Sequence, residues 1–310
     1  MRHAGRVAAL LLGLTVGKAV VPLPAQAQNF GLGLTTQDNN KPITIEADQG
    51  IEWQQNNHVY IARGHAKATR GQATVFGDVL VAYYRPVTPA GAGTSTPPAE
   101  HKAPGDSGDP IGGNSTEIYR LEATGNVRIA TETQTVYGDH AVYDVDRTLL
   151  VVTGKNLRLE TPRDTLTARD SLEWYDDKQL AVARGDAVAI REGKRLRGDV
   201  LTATVTRLPN ESSHISRVDA QGNVLVSSQD QIARGDAGVY NVDTGIATLT
   251  GRVTLTRADN ELRGQYAVVD LNNNVSRLLS APPSTQLTAG KPARVQGLLI
   301  PRQKPATPAQ

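Results

Sequence analysis

Apolar and polar residues alternate along most of this chain with a period of two, and the alternating runs recur behind two short glycine signatures. The first is a Gly that opens a run such as Gly125-Asn-Val127-Arg-Ile129, with further copies at Gly64, Gly154, Gly185, Gly222 and Gly251. The second is Gly-Asp, or a close variant, leading into a run that often holds Tyr, as in Gly138-Asp-His-Ala141-Val-Tyr143-Asp. It returns at Gly77, Gly198, Gly235 and Gly264, with degenerate copies at Ala47-Asp48 and Arg169-Asp170. Residues two apart on an extended strand share a face. Val127 and Ile129 therefore point one way and Arg128 the other, and Ala141 and Tyr143 share a face.

The spacing is regular. A first signature leads to a second in 13 residues at 64→77, 125→138, 185→198, 222→235 and 251→264, and a second leads to a first in 16 at 138→154, 169→185 and 235→251. The unit is 29 residues and recurs about six times. The glycines mark turns with positive φ, or bends and bulges in a sheet. Asp146-Arg147 and Asp243-Thr-Gly245 sit between alternating runs and read as hairpin turns. Each unit is a few short strands that cannot bury their apolar face alone, so stacked neighbours build one continuous interior and leave open edges at the two ends. No helical period occurs outside the first residues. The expected class is all-β.

Two stretches break the period. Pro86 to Ser115 is rich in Pro, Gly, Ser and Thr and reads as an inserted loop, and Leu208 to Ser213 reads as a longer hairpin loop. The repeat ends near residue 280. Residues 281–310 form a basic, proline-rich tail expected to lack packed structure, with Val295 to Ile300 as an alternative added strand on a partner.

The first residues have the layout of a secretory leader: Arg2 and Arg6, an apolar run from Val7 to Val16, then Ala25-Gln26-Ala27. The apolar run is too short for a membrane-spanning helix. Cleavage after Ala27 is expected, leaving 28–280 as the repeat domain. The leader holds three of the 33 basic residues and none of the 31 acidic ones, so 30 against 31 remain, a net charge of −1. This removes the argument for a nucleic-acid partner.

The chain has no cysteine, which excludes disulfides and thiolate metal sites. Its six histidines are scattered, and neither a phosphate loop nor a nucleophile elbow occurs. No metal or cofactor is expected. Asp176-Asp177 and Glu46/Asp48 are the carboxylate pairs worth testing for catalysis, but both fall at expected turns or strand ends. Three Arg-Gly-Asp triplets, at 184–186, 197–199 and 234–236, fall on the repeat's own glycines and follow from its architecture.

Pro42-Ile43-Thr-Ile45-Glu-Ala-Asp48-Gln49, the Gly-Asn-Val copy at Gly125, the Gly-Asp…Ala-x-Tyr-Asp copy at 138–144 and Val151-Val152-Thr153-Gly154 together resemble the LptA/OstA-like family of lipopolysaccharide-transport bridge proteins, over roughly residues 41–280. The resemblance implies an open, twisted β-jellyroll folded like a taco, whose apolar groove takes lipid A acyl chains. It implies a non-enzymatic periplasmic protein that binds lipopolysaccharide and joins inner-membrane LptC-like and outer-membrane LptD-like proteins through open strand edges, with head-to-tail self-association. By that resemblance Ile43 and Ile45 match lipid-facing positions of the first strand, and Tyr143 and Val145 a second pair deeper in the groove. The alternation alone adds Val127, Ile129 and Leu157, which plain core packing would explain equally well. The repeat number, about twice that of a compact member, puts the need for oligomers in doubt. A β-solenoid carbohydrate-active enzyme or adhesin is the competing reading.

Overall fold

The computed structural model describes residues 43–86, 116–207, 213–228, 231–258, 260–270, 272–273, 275–281 and 294–298. The expected leader, nearly all of the 86–115 insertion, residues 208–212 and most of the C-terminal tail lie outside the described residues.

Every described strand pairing is antiparallel. The strands are β1 Thr44–Glu46, β2 Gly50–Gln54, β3 Val59–Arg70, β4 Ala73–Pro86, β5 Thr116–Ala130, β6 Thr135–Asp144, β7 Leu149–Thr153, β8 Leu157–Glu160 and β9 Asp164–Ala168. They continue as β10 Ser171–Tyr175, β11 Leu180–Arg191, β12 Lys194–Arg207, β13 Ser213–Ser227, β14 Gln231–Asn241, β15 Ile246–Arg257, β16 Asn260–Asp270, β17 Val275–Leu279 and β18 Gln296–Leu298. Where the spacing predicts several short strands per unit, most strands are long and bent once. Their registers slip at the bend, between Arg63 and Ala66, Thr124 and Val127, Arg184 and Ala187, Gln221 and Val224, and Thr250 and Val253.

These bends line up into a spine from which two walls rise. The first half of β3 pairs with β2 and its second half with β1. β6 is shared in the same way by β7 and β8, β11 by β10 and β9, and β16 by β17 and β18. The uneven 13 and 16 now have a cause. The 13-residue arm climbs the second wall and returns through a tight turn such as Gly71-Gln72. The 16-residue arm climbs the first wall and returns through a four-residue turn such as Val145–Thr148. Pro86 and Thr116, and likewise Arg207 and Ser213, the strand ends that flank the two breaks in the period, lie at the lip of the first wall.

The spine explains why the signatures hold Gly and Asp. Gly125 has φ +77°, and a Cβ there would lie 2.1 Å from Oδ2 of Asp78 on the adjacent strand. The same carboxylate accepts from Nδ2 of Asn126 at 3.0 and 3.2 Å. One module on, Gly222, Asp199 and Asn223 repeat this arrangement, with hydrogen bonds of 2.9 and 3.1 Å. The Arg-Gly-Asp triplets lie on this spine: Arg197 pairs with Asp186, and Asp236 accepts from Arg252 at 2.9 Å.

The alternation sends one side-chain set inward on both walls. One core runs from Ala62 and Ala66 through Val127, Ile129, Val152 and Leu157 to Leu255 and Ala267, and Tyr60, Ala82 and Tyr84 form a second, smaller cluster at its first end. Burying each large side chain of this set contributes about 1.5–3 kcal/mol.

The two halves of the chain are copies. At a shift of 121 positions Ile45 meets Leu166, Ile51 meets Leu172, Trp53 meets Trp174 and Gly64 meets Gly185, and the chain has only these two tryptophans. The split strands β1 and β2 thus correspond to β9 and β10. The copies join where β7 pairs with β10 and β8 with β9, Leu150 opposite Trp174 and Leu159 opposite Leu166. Among the described residues the corresponding edge of the first copy ends the sheet, with Ile51 50% and Trp53 54% exposed.

On the outer face of the first wall, Glu173 accepts hydrogen bonds from Arg184 Nε (2.8 Å), Ser171 Oγ (2.8 Å) and Tyr175 Oη (2.9 Å). Partial burial pushes its pKa up, but the bonds from Arg184, Ser171 and Tyr175 outweigh this and hold it below the usual range. A depressed carboxylate stabilises the fold above its unfolded pKa, and that contribution is lost as pH falls from about 4.3 through the lower folded value. Glu173→Gln is therefore expected to be less stable than wild type at pH 7. The gap should close as pH drops below about 4. Urea denaturation at several pH values measures it, and a pH-independent gap would exclude the linkage.

Candidate functional site

Between the walls of the first copy lies an apolar cavity of about 70 Å³. The first wall brings Tyr60, Leu80, Leu121, Tyr143 and Leu150 to it, and the second brings Ile43, Ile45, Ala68, Val75 and Ile129. The registers explain the convergence. Tyr60 lies beside Ala82, Ala82 beside Leu121, Leu121 beside Tyr143, and Tyr143 beside Leu150. On the other wall Ile45 lies beside Ala68, Ala68 beside Val75, and Val75 beside Ile129. Glu122 also borders the cavity, but its carboxylate is held by His140 Nε2 at 2.7 Å and by the Tyr83 hydroxyl at 3.3 Å.

Four of the seven residues singled out in the sequence, Ile43, Ile45, Ile129 and Tyr143, line this cavity. Val127 and Leu157, both 2% exposed, belong to the packed floor at the spine. Val145 is partly buried against the core in the turn that follows β6. Tyr143 and Val145 lie toward the lip rather than deeper in the groove, because β6 climbs from the spine at Gly138 to the turn at 145–148. Burial, with Asp176 adding to it, pushes the Tyr143 phenol up to about 12, so the hydroxyl stays neutral at physiological pH. Tyr60, Leu80, Leu121 and Leu150 were not singled out, although each sits in an alternating run and the same parity rule places it inward.

The end of this site is aromatic. Trp53 stacks on Tyr60 at 5.7 Å and 15°, its indole N–H donates to the Tyr84 hydroxyl at 2.8 Å, and Tyr60 lies 5.1 Å from Tyr84. The second copy has Ala181 and Val205 in place of the two tyrosines. Its tryptophan is covered instead by the strand carrying Leu150.

The carboxylate pairs considered for catalysis have structural engagements. Glu46 pairs with Lys67 at 3.2 Å, Asp48 with His65 at 3.0 Å, and Asp176 accepts from the Trp174 indole at 3.3 Å. Among the described residues no cluster of His, Asp or Glu could hold a metal ion.

Comparison with known proteins follows the internal duplication. The family model described as "LptA/(LptD N-terminal domain) LPS transport protein" matches residues 44–171 and again residues 169–275. The overlap falls on the bend between β9 and β10, where the two copies join. A similar solved structure is LptH, the LptA-homologous periplasmic component of the conserved lipopolysaccharide transport device from Pseudomonas aeruginosa. It is 21% identical with a TM-score of 0.38, over 44% of this chain and 95% of that one. No curated protein matches the chain. With both copies matched over most of its length, the chain belongs to the LptA/LptD N-terminal-domain family of lipopolysaccharide transport proteins.

Proposed function

We propose that the protein shields the acyl chains of lipopolysaccharide between its two walls and bridges the inner and outer membranes. One observation carries this reading: an apolar interior that runs between two walls of antiparallel strands. An acyl chain exposed to water costs about 0.8 kcal/mol per CH₂, so a multi-chain lipid crosses an aqueous compartment only when covered. The resting cavity is small, so loading requires the lips to part, with the spine as hinge. Ile43, Ile45, Ile129 and Tyr143 touch the lipid in this reading, and Val127 and Leu157 form the floor beneath it. Val145 takes part at the lip.

The periplasm is the compartment this transport requires, reached through the leader and cleavage after Ala27. The partners are LptC-like and LptD-like proteins that add strands to the open ends, β1–β2 at one and β17–β18 at the other. A second copy of the chain docks there head to tail, a reading supported by the β7–β10 and β8–β9 pairings, which join the two copies within the chain.

Photo-crosslinking residues at Ile45 and Tyr143, with Arg128 as the outward control, test the reading in lipopolysaccharide-producing cells. Adducts with the lipid at the first two and none at Arg128 are expected. Their absence from folded protein at every site would favour an adhesin or a carbohydrate-active enzyme.

A further inference from the structure

The joint inside the chain sets a requirement that the C-terminal end meets only through its last described strand. Where the copies join, each wall of the first ends on a strand antiparallel to its neighbour in the second. β7 runs from lip to spine and meets β10, and β8 runs from spine to lip and meets β9. At the C-terminal end the first wall stops, among the described residues, at β17, which runs from lip to spine as β7 does. The second wall without β18 would stop at Glu261–Arg263 of β16, which also runs from lip to spine. The β1 strand of an incoming copy has that same direction, so on bare β16 it would lie parallel.

β18 changes this. Gln296, Gly297 and Leu298 pair antiparallel with Arg263, Leu262 and Glu261, so β18 runs from spine to lip and occupies the place that β8 holds at the internal joint. It lies beyond residue 275, where the second family match ends. Its inward residue is Gly297, where β8 contributes Leu157 and Leu159. A Cβ on Gly297 would lie 3.0 Å from the Leu262 side chain, and Leu262 is left 36% exposed. A glycine beside a half-covered leucine leaves a depression in the wall. Ile45, the counterpart of Leu166 at the internal joint, is the residue an incoming β1 brings to that level.

We infer that β18 is an adaptor strand: by filling the last half-rung it gives both walls the strand direction that the β1–β2 edge of a second copy needs. This rests on the head-to-tail reading above. Its rival is a cap, a strand that blocks the edge and must leave before anything docks. The two differ in sign.

Sedimentation velocity of the mature protein across a concentration series distinguishes them. The comparison includes a form truncated after residue 293 and a Leu262→Cys/Gly297→Cys form, which pins β18 to β16 in a chain with no native cysteine. An adaptor predicts end-to-end association weakened about tenfold or more by truncation, equivalent to about 1.4 kcal/mol, and kept in the oxidised double-cysteine form. Association unchanged or strengthened by truncation, or lost on oxidation, overturns the adaptor while leaving head-to-tail docking intact. Trp53→Asp on the opposite edge separates the two ideas. If the wild type associates and this variant does so equally, or if the wild type stays monomeric throughout, the head-to-tail reading itself fails.

Discussion

Gly125→Ala is expected to destabilise the protein by about 3 kcal/mol, far more than alanine at another glycine of nearly the same backbone conformation. Two terms add. A non-glycine residue in the left-handed region costs about 1–2 kcal/mol. The new methyl would also stand where Oδ2 of Asp78 now lies, 2.1 Å from the ideal Cβ position. The carboxylate must move and give up its bonds to Asn126, at a further cost of about 1–2 kcal/mol. Gly193 is the control: its φ is also +77°, but a Cβ there meets nothing within 4 Å. Alanine there is expected to cost only the backbone term of about 1–2 kcal/mol. Asp78→Ala combined with Gly125→Ala removes the collision, so the pair should cost less than the sum of the singles by at least about 1 kcal/mol. Equal losses for Gly125→Ala and Gly193→Ala would show that the spine contact does not dictate the glycine.

Leu157→Ala is expected to cost about 2–5 kcal/mol, the range for a cavity left by a large buried side chain. Leu157 is among the largest fully buried side chains, packs at the spine where a Cβ on Gly138 would touch it at 3.3 Å, and lies beside Ala168 at the joint between the copies. Ile45→Ala is expected to cost only about 1 kcal/mol, because Ile45 sits half-buried on an edge strand and loses less contact. The pair separates floor from lining. Under the proposed function Ile45→Ala reduces lipid crosslinking at Tyr143 in a stable protein, whereas Leu157→Ala lowers stability and leaves crosslinking of the folded fraction unchanged. Chemical denaturation and crosslinking yield on the same variants decide it. A loss below about 1 kcal/mol at Leu157 would mean that the floor is not packed as described.

Much of this architecture is legible in the chain. Alternation is a local property of an extended backbone, so parity alone sends Val127, Ile129, Ala141 and Tyr143 to the inner face and Arg128 to the outer one. Periodic glycines report bends because a repeated close contact excludes a Cβ at a repeated position. The turns at Asp146-Arg147 and Asp243-Thr-Gly245 were marked for the same local reason.

Parity does not report height above the spine. Val127, Leu157, Ile45 and Tyr143 look alike as alternating apolar residues, yet two form the floor and two line the cavity. That difference depends on which strand lies across the groove, and such strands are distant in sequence. Nor does local pattern distinguish a covered strand from an edge strand. Trp53 and Trp174 stand at matching positions of two copies, and only the docking of β7 covers one and leaves the other open. The run from Val295 to Ile300 reads as an added strand on a partner, yet β18 pairs with β16 of its own chain, because the edge of β16, and not local pattern, dictates what it joins. The all-β class, the 29-residue unit, its bends and the inward residue set can be read along the chain, because each follows from backbone geometry within one strand or turn. The two walls, the floor, the lips, the joint between the copies and the open ends come only from the folded arrangement, because each depends on contacts between strands far apart along the chain.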